Sequence, residues 1–138
     1  MATVEAAVFA KMEADQDIYS LVGTRIYPLL IPQTAPLPAI AYQKVSAAQS
    51  AAHNGSSHLA RSRMQLTLVA ETYADVKELA TAVRACWHAF KGMVGYFEIQ
   101  AAFVESESDA ENEGRSLQAT ALTVQPIVRM DIEIWHWE

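Results

Sequence analysis

The sequence contains one cysteine, Cys86, among 138 residues, so it cannot form an intramolecular disulfide, and we expect a reducing compartment. Basic residues are also scarce: 10 Lys and Arg stand against 16 Asp and Glu, giving a formal net charge of −6. This balance excludes proteins that grip nucleic acid through a basic face, although acidic walls could still surround DNA without gripping it. No apolar run approaches the ~20 residues of a membrane span, which predicts a soluble protein without membrane contact.

The sequence also lacks the common motifs of enzymes and cofactor-binding proteins. Its five glycines are too scattered to cradle a phosphate group. Cys86 and His88 stand two positions apart on a predicted helix, so their side chains point in different directions. The acidic stretch from Asp109 resembles the first half of a calcium loop, but its twelfth position is Thr120 rather than Glu. We therefore expect no catalytic residue, no cofactor and no metal ion.

A rival interpretation uses the histidines. His53, His58 and His136 could in principle meet in a metal site, which would make the protein a small metal-dependent hydrolase. No Cys or carboxylate stands at ligand spacing beside them, so the sequence gives this enzyme little support.

Residues 61–92 combine the two periodicities that build a core. From Arg61, polar and apolar side chains alternate through residue 70, as in a half-buried strand. Thr72 is a suitable N-cap, and the apolar positions that follow recur at helical spacing until Gly92 supplies a left-handed stop. We expect this strand and helix to form the structural spine of the protein rather than an active site.

The remaining pattern predicts one domain over residues 1–138, since 51% hydrophobic content is sufficient for a sizeable core. Helical spacing predicts a first helix over residues 3–14. A short turn of helix over residues 18–22, ended by Gly23, and extended chain over 25–28 are expected to follow. Alternation predicts further strands over 39–45, 96–104 and 128–134. Residues 46–59, which are poor in large apolar side chains, and the acidic residues 105–118 are predicted to be mobile loops. The expected fold class is α+β, with an antiparallel sheet of about four strands and two helices packed on one face.

Seven residues are candidate contacts with another subunit or a partner. Two C-terminal tryptophans alternate with the predicted buried face of the last strand, and they could form a subunit contact or cover the open face of the sheet. Two arginines could pair with Glu133 and Asp131 across the sheet or remain solvated. Three acidic residues could form a docking surface for a basic partner or a solvated loop. The candidates are Trp135, Trp137, Arg61, Arg63, Glu107, Asp109 and Glu111.

Several segments, in this order and spacing, are similar to a known family. They are Leu21-Val22-Gly23-Thr24-Arg25-Ile26-Tyr27-Pro28, Pro32-Gln33, Leu37-Pro38-Ala39-Ile40-Ala41-Tyr42, the strand 63–70 running into Thr72-Tyr73, and Asp131-Ile132-Glu133-Ile134-Trp135-His136. Together they resemble the tail-completion or tail-terminator proteins of long-tailed bacteriophages and related prophage elements. The acidic insertion after Val104 and Pro126 in the last hairpin depart from the family pattern.

The resemblance implies a small α+β structural subunit without catalysis. Such subunits form a ring, usually a hexamer, at the head-proximal end of the tail tube and join it to the head connector. The implied partners are further copies of this chain, the major tail tube protein and the connector or stopper protein, while DNA passes through the lumen without sequence-specific binding.

The implied location is the virion tail or neck, reached by assembly in the host cytoplasm. Residues 46–59 and 105–118 would be arms that reach the tube or the connector. Another neck or head-completion protein is the alternative within structural proteins.

Overall fold

The computed structural model describes residues 3–32, 34–52, 55–95, 97–111 and 126–137. Within these residues the chain forms three helices and six strands. In chain order they are α1 (Val4–Ala14), α2 (Gln16–Val22), β1 (Ile26–Pro28), β2 (Ala39–Ala52), β3 (Gly55–Val69), α3 (Tyr73–Trp87), β4 (Phe90–Val94), β5 (Phe97–Glu111) and β6 (Pro126–Trp137). The strands form one sheet in the order β1-β2-β3-β6-β5-β4.

The sheet is mixed rather than antiparallel throughout. β1 runs parallel to β2, and the other neighbouring pairs of the described strands are antiparallel. The α+β class is confirmed, but the prediction of about four antiparallel strands and two helices is wrong in detail. β1 lies within residues 25–28, which were expected to be extended, but β1 and β4 have only three and five residues, so neither carries enough alternation to be counted as a strand of the sheet. The additional helix, α2, packs on α1 and α3.

Each helix begins at a side chain that accepts a hydrogen bond from the backbone N–H three residues on. These N-caps are Thr3, Asp15 and Thr72. The N-cap predicted at Thr72 is therefore confirmed. α3 ends earlier than predicted, at Trp87, because Ala89 adopts the left-handed backbone (φ 62°) that we expected near Gly92. The chain then enters β4 directly. None of the described helices combines the length and apolar composition that a membrane crossing needs.

The core lies between the helices and one face of the sheet, which we call the helix face. α3 packs on β3, β5 and β6, while α1 contacts β2 and β4. Leu79 and Val83 of α3, and Met130 of β6, are fully buried. Burying a side chain of this size stabilises a fold by roughly 1.5–3 kcal/mol, so this interface is a principal source of stability. The predicted spine of β3 and α3 is confirmed.

A long hairpin replaces the loop that was predicted over residues 46–59. β2 and β3 remain paired as far as Ala52 and Gly55, so the described part of that segment is strand. Ladder hydrogen bonds join backbone groups, and they extend a hairpin through Ser- and Ala-rich sequence without help from large side chains. The periodicity of apolar residues could not reveal such a strand, since almost none are present there.

β5 and β6 form a second long antiparallel pair. β5 continues to Glu111, so residues 105–111 are also strand rather than loop, and residues 112–118 lie outside the described part of the chain. Pro126, at the start of β6, pairs with Glu111, whereas Trp137, at its other end, pairs near the tip of the first hairpin. At about 3.3 Å per residue the two ends of β6 are roughly 36 Å apart. The paired ends of β2 and β3 at Ala52 and Gly55, and those of β5 and β6 at Glu111 and Pro126, therefore lie at opposite ends of the sheet.

Candidate interaction surfaces

The side of the sheet opposite the helix face, which we call the open face, carries a cluster of charged side chains. Side chains alternate along each strand, so residues that pair across the ladder share a face. Arg61 pairs with Trp135, and Arg63 pairs with Glu133. Glu105 joins them from a bulge in β5. The open-face cluster is therefore Arg61, Arg63, Glu105, Glu133 and Trp135.

The arginines lie on the outside of this cluster. Arg63 Nη2 lies 2.6 Å from Glu105 Oε2, and Arg61 Nη1 lies 3.8 Å from Glu133 Oε1. The guanidinium of Arg61 is also 5.5 Å from the ring centre of Trp135, within the range of a cation–π contact. The side chains of Arg61 and Arg63 are 51% and 45% exposed, against 14% for Glu133. A partner would therefore meet the guanidinium groups first.

Two carboxyl groups lie side by side within the cluster. A hydrogen bond to Glu133 raises the pKa of Glu105 above its ordinary value, and desolvation and the charge of Glu133 act in the same direction. The neighbouring Arg63 and Arg61 act in the opposite direction.

A shallow depression of about 350 Å³ lies beside the cluster. Its lining residues are Val45, Ser46, Ala47, Arg61, Arg63 and Glu133. Val45 occupies an irregularity in the β2–β3 register and is 52% exposed, although it is apolar. The depression thus combines an exposed aliphatic side chain with two arginines, a composition that suits a protein contact.

A second group of charges joins β5 to α3 on the helix face. Tyr73 donates a hydrogen bond from Oη to Asp109 Oδ2 over 2.7 Å, and Lys77 donates from Nζ to Asp109 Oδ1 over 2.8 Å. Arg84 Nη2 lies 2.5 Å from Glu107 Oε1. The hydrogen bond from Lys77, with a second one from Tyr73, lowers the pKa of Asp109. These contacts attach the acidic end of β5 to the helix.

The interpretation of residues 105–113 as a solvated acidic loop is therefore wrong where the chain is described. A bulge after Val104 shifts the register of β5 by one residue, so that Glu107 pairs with Met130 and Asp109 with Val128. Both acidic side chains consequently turn to the helix face, toward the bases of α3. The order of charged residues in the sequence does not reveal such a shift in strand register.

The remaining candidate contacts have mixed positions. Trp135 is half-buried and lies on the side opposite Ile134, as expected from alternation. The backbone of Trp137 pairs with Leu59, but its side chain, like that of Glu111, lies outside the described part. The cross-strand ion pair of Arg61 with Glu133 is present.

The other predicted partners differ. The guanidinium of Arg63 forms its ion pair with Glu105 instead of Glu133 or Asp131. Asp131 accepts a hydrogen bond from the hydroxyl of Ser106 over 3.1 Å. The bulge that turns Glu107 toward the helix also places Glu105 on the open face within reach of Arg63. The change of partner therefore has the same cause as the misplaced acidic loop.

One buried polar pair was missed in the sequence. Ser62 Oγ lies 2.8 Å from His136 Nε2, and the ring of Phe97 lies 5.0 Å from the imidazole. The pair resembles a nucleophile and its base, but Ser62 is 1% exposed and His136 is 5% exposed, so a substrate cannot reach it. One signal in the sequence could have revealed this pair, because both residues alternate in phase with the buried apolar residues of their strands.

The thiol and the remaining histidines were considered for catalysis or metal binding. Burial raises the pKa of the Cys86 thiol to about 12, which keeps it protonated and unreactive. The described residues contain no group of three or more His, Cys, Asp or Glu that could hold a metal ion. His53 lies outside the described residues. The side chain of His58 is not described, while that of His136 is buried against Ser62.

Comparison with protein families gives a direct assignment. Residues 6–124 match the model of the family described as tail completion protein gp17. The chain belongs to this family. It is thus a bacteriophage tail completion protein, a structural component of the virion tail, and the resemblance seen in the sequence is confirmed. No curated protein matches the chain.

A solved structure supports the fold of this tail completion protein. A chain from the virion of a native gene transfer agent particle superposes with a TM-score of 0.72 at 17% sequence identity. The match covers 96% of this chain and 94% of that chain. Sequence identity at this level shows a shared fold. That the open-face cluster and the charged group between β5 and α3 contact other molecules stays a prediction.

Proposed function

We propose that this tail completion protein forms a ring, most simply a hexamer, at the head-proximal end of the tail tube and joins the tube to the head connector. Its partners are then further copies of the chain, the major tail tube protein and the connector or stopper protein. The ring belongs to the tail or neck of the virion and assembles in the host cytoplasm. The membership of the family supports the structural role, and the geometry supports the joining role.

The observation that carries this proposal is the span of β6 across the sheet. Pro126 pairs with Glu111 at one end of β6, and Trp137 pairs with Leu59 at the other end, beside the β2–β3 hairpin. A subunit that joins two assemblies needs a contact region at each end, separated by rigid structure. The roughly 36 Å of paired strand, at about 3.3 Å per residue, provide that separation.

The charge of the chain is compatible with DNA in the lumen of such a ring. A formal net charge of −6 repels the phosphate backbone, so DNA can pass without being held. We do not propose sequence-specific binding of DNA. Such binding requires contacts that hold the duplex in register and side chains that reach the edges of the bases.

Imaging of the purified protein tests the ring. Mass photometry and negative-stain electron microscopy should show rings of uniform mass, either alone or at the ends of purified tail tubes. A protein that stays monomeric and never associates with tail tubes would overturn the proposal. Detection in purified heads and not in purified tails would assign the protein to head completion instead.

A further inference from the structure

Two surfaces of the subunit differ in the sign of their most exposed charged groups. The first surrounds Tyr73, which is 56% exposed, at the start of α3 and the end of β5. Its exposed carboxylates, which we call the acidic patch, belong to Glu71, Asp75, Glu78 and Asp109. Lys77 is the cation that lies among them, and its Nζ is already hydrogen bonded to Asp109. The acidic patch is therefore negative.

The second surface is the open-face cluster. Arg61 and Arg63 are its most exposed charged groups, and the adjoining residues 45–60 contain no Asp, Glu, Lys or Arg. An approaching partner meets two guanidinium groups, flanked by the indole of Trp135 and the exposed side chain of Val45. The cluster is suited to an acidic surface that also carries an aromatic side chain.

The two surfaces cannot meet within one chain. The acidic patch lies on the helix face and the open-face cluster lies on the other side of the sheet. They are also displaced along the strands, because Asp109 pairs with Val128 whereas Arg61 pairs with Trp135. At about 3.3 Å per residue this displacement along β6 is roughly 23 Å. Each surface is thus available only to another molecule.

We propose that the acidic patch of one copy docks on the open-face cluster of the next, and that this contact repeats around the ring. The inference rests on the proposed ring and names the surfaces that close it. A two-fold dimer through either surface would place exposed groups of like sign against each other, arginines in one case and carboxylates in the other. A head-to-tail contact pairs opposite charges, and repeated head-to-tail contacts generate a closed ring when the rotation between copies allows it.

The side chains of both surfaces suit such a contact. Tyr, Trp and Arg supply a large share of binding energy in protein interfaces. Tyr73 is exposed and donates a hydrogen bond to Asp109 of the acidic patch, and Trp135 and Arg61 contact each other in the open-face cluster. Charge attraction between exposed groups is screened beyond about 8 Å at physiological ionic strength, so ring formation should weaken as salt is added.

Charge reversal tests the contact. Arg61→Glu/Arg63→Glu makes both surfaces acidic, and Glu71→Lys/Glu78→Lys makes both basic. Each variant alone should fail to form rings at a concentration at which the wild-type protein is fully assembled. An equimolar mixture of the two should restore assembly, because each acidic surface then meets a basic one on the alternate copy. A hexamer can accommodate this alternation.

The control is Lys91→Glu/Arg129→Glu, which changes the net charge as much as the arginine variant does but lies outside both surfaces. It should assemble like the wild-type protein, and circular dichroism should show that all variants are folded. Two results would overturn this contact: single variants that assemble normally, or folded variants whose mixture stays dissociated. In either case, rings formed by the wild-type protein would leave the proposed function intact. A wild-type protein that forms no ring under any condition would overturn both.

Discussion

The guanidinium of Arg84 and the carboxylate of Glu107 lie 2.5 Å apart, joining α3 to the acidic half of β5. Neither residue belongs to an active site, and neither is part of the apolar core. Charged as well as apolar side chains therefore join α3 to the sheet.

Val83→Asp should destabilise the subunit strongly. Val83 is fully buried between α3 and the sheet, and an ionised carboxylate placed there has no partner. We expect a loss of more than about 3 kcal/mol in the free energy of unfolding, measured by urea denaturation, or insoluble protein. Ala85→Asp on the exposed side of the same helix is the control and should change stability by less than about 1 kcal/mol. Similar values for the two variants would contradict the packing of α3.

Much of this packing could be predicted, because its signals are local. Alternation in β3 and helical spacing in α3 are both present within 30 or so residues, and the Thr72 cap has a characteristic side chain. β1 was expected only as extended chain and β4 was not predicted, since strands of three and five residues show no period and are held by pairing with neighbouring strands.

The surfaces were harder to predict than the core. The seven candidate contacts stay predictions, and the partners of the described ones depend on strand register. The bulge after Val104 decides that Glu105 meets Arg63 on one face while Glu107 meets Arg84 on the other. The sequence did not reveal the roles of Tyr73, Lys77 and Arg84, because nothing in it places α3 beside the end of β5.

Ser62→Ala should destabilise the protein by leaving a buried imidazole group without one of its hydrogen bonds. The expected loss is about 1–3 kcal/mol in the free energy of unfolding, since the bond between Ser62 Oγ and His136 Nε2 is shielded from water. Ser108→Ala, at an exposed position of β5, provides the control and should have little effect. Equal stabilities of the two variants, measured by urea denaturation, would show that the buried pair contributes nothing.

Protonation of Asp109 should make the protein less stable in acid. Its pKa is lowered from 3.8 in the folded state by hydrogen bonds from Lys77 and Tyr73. A lowered pKa contributes stability above the unfolded value, and that contribution is lost as the pH falls through the folded value. Wild-type protein should therefore lose more stability than Asp109→Asn between neutral pH and pH values below about 3.8. Parallel melting curves against pH would contradict the assignment, and Asp17→Asn serves as an exposed control.

Glu105 should have the opposite dependence. Its pKa is raised above 4.5, chiefly by the hydrogen bond to Glu133, so its neutral form is favoured in the folded state. The associated stability is present in acid and declines as the pH rises through the raised value. Glu133→Gln removes the charge of the partner, and the pKa of Glu105, followed by NMR titration, should move down. An upward move or no change would exclude the shared proton.

Trp135→Ser should impair assembly more than it impairs folding. Trp135 is half-buried on the open face and packs against the guanidinium of Arg61, so its removal leaves the core of the subunit intact. The melting temperature should fall by only a few degrees, whereas rings should be lost in mass photometry. Trp87→Ser provides the contrast, because Trp87 is fully buried and its truncation should cost roughly 3–5 kcal/mol of stability. If Trp135→Ser unfolds as readily as Trp87→Ser, the indole covers the sheet and does not serve as a contact.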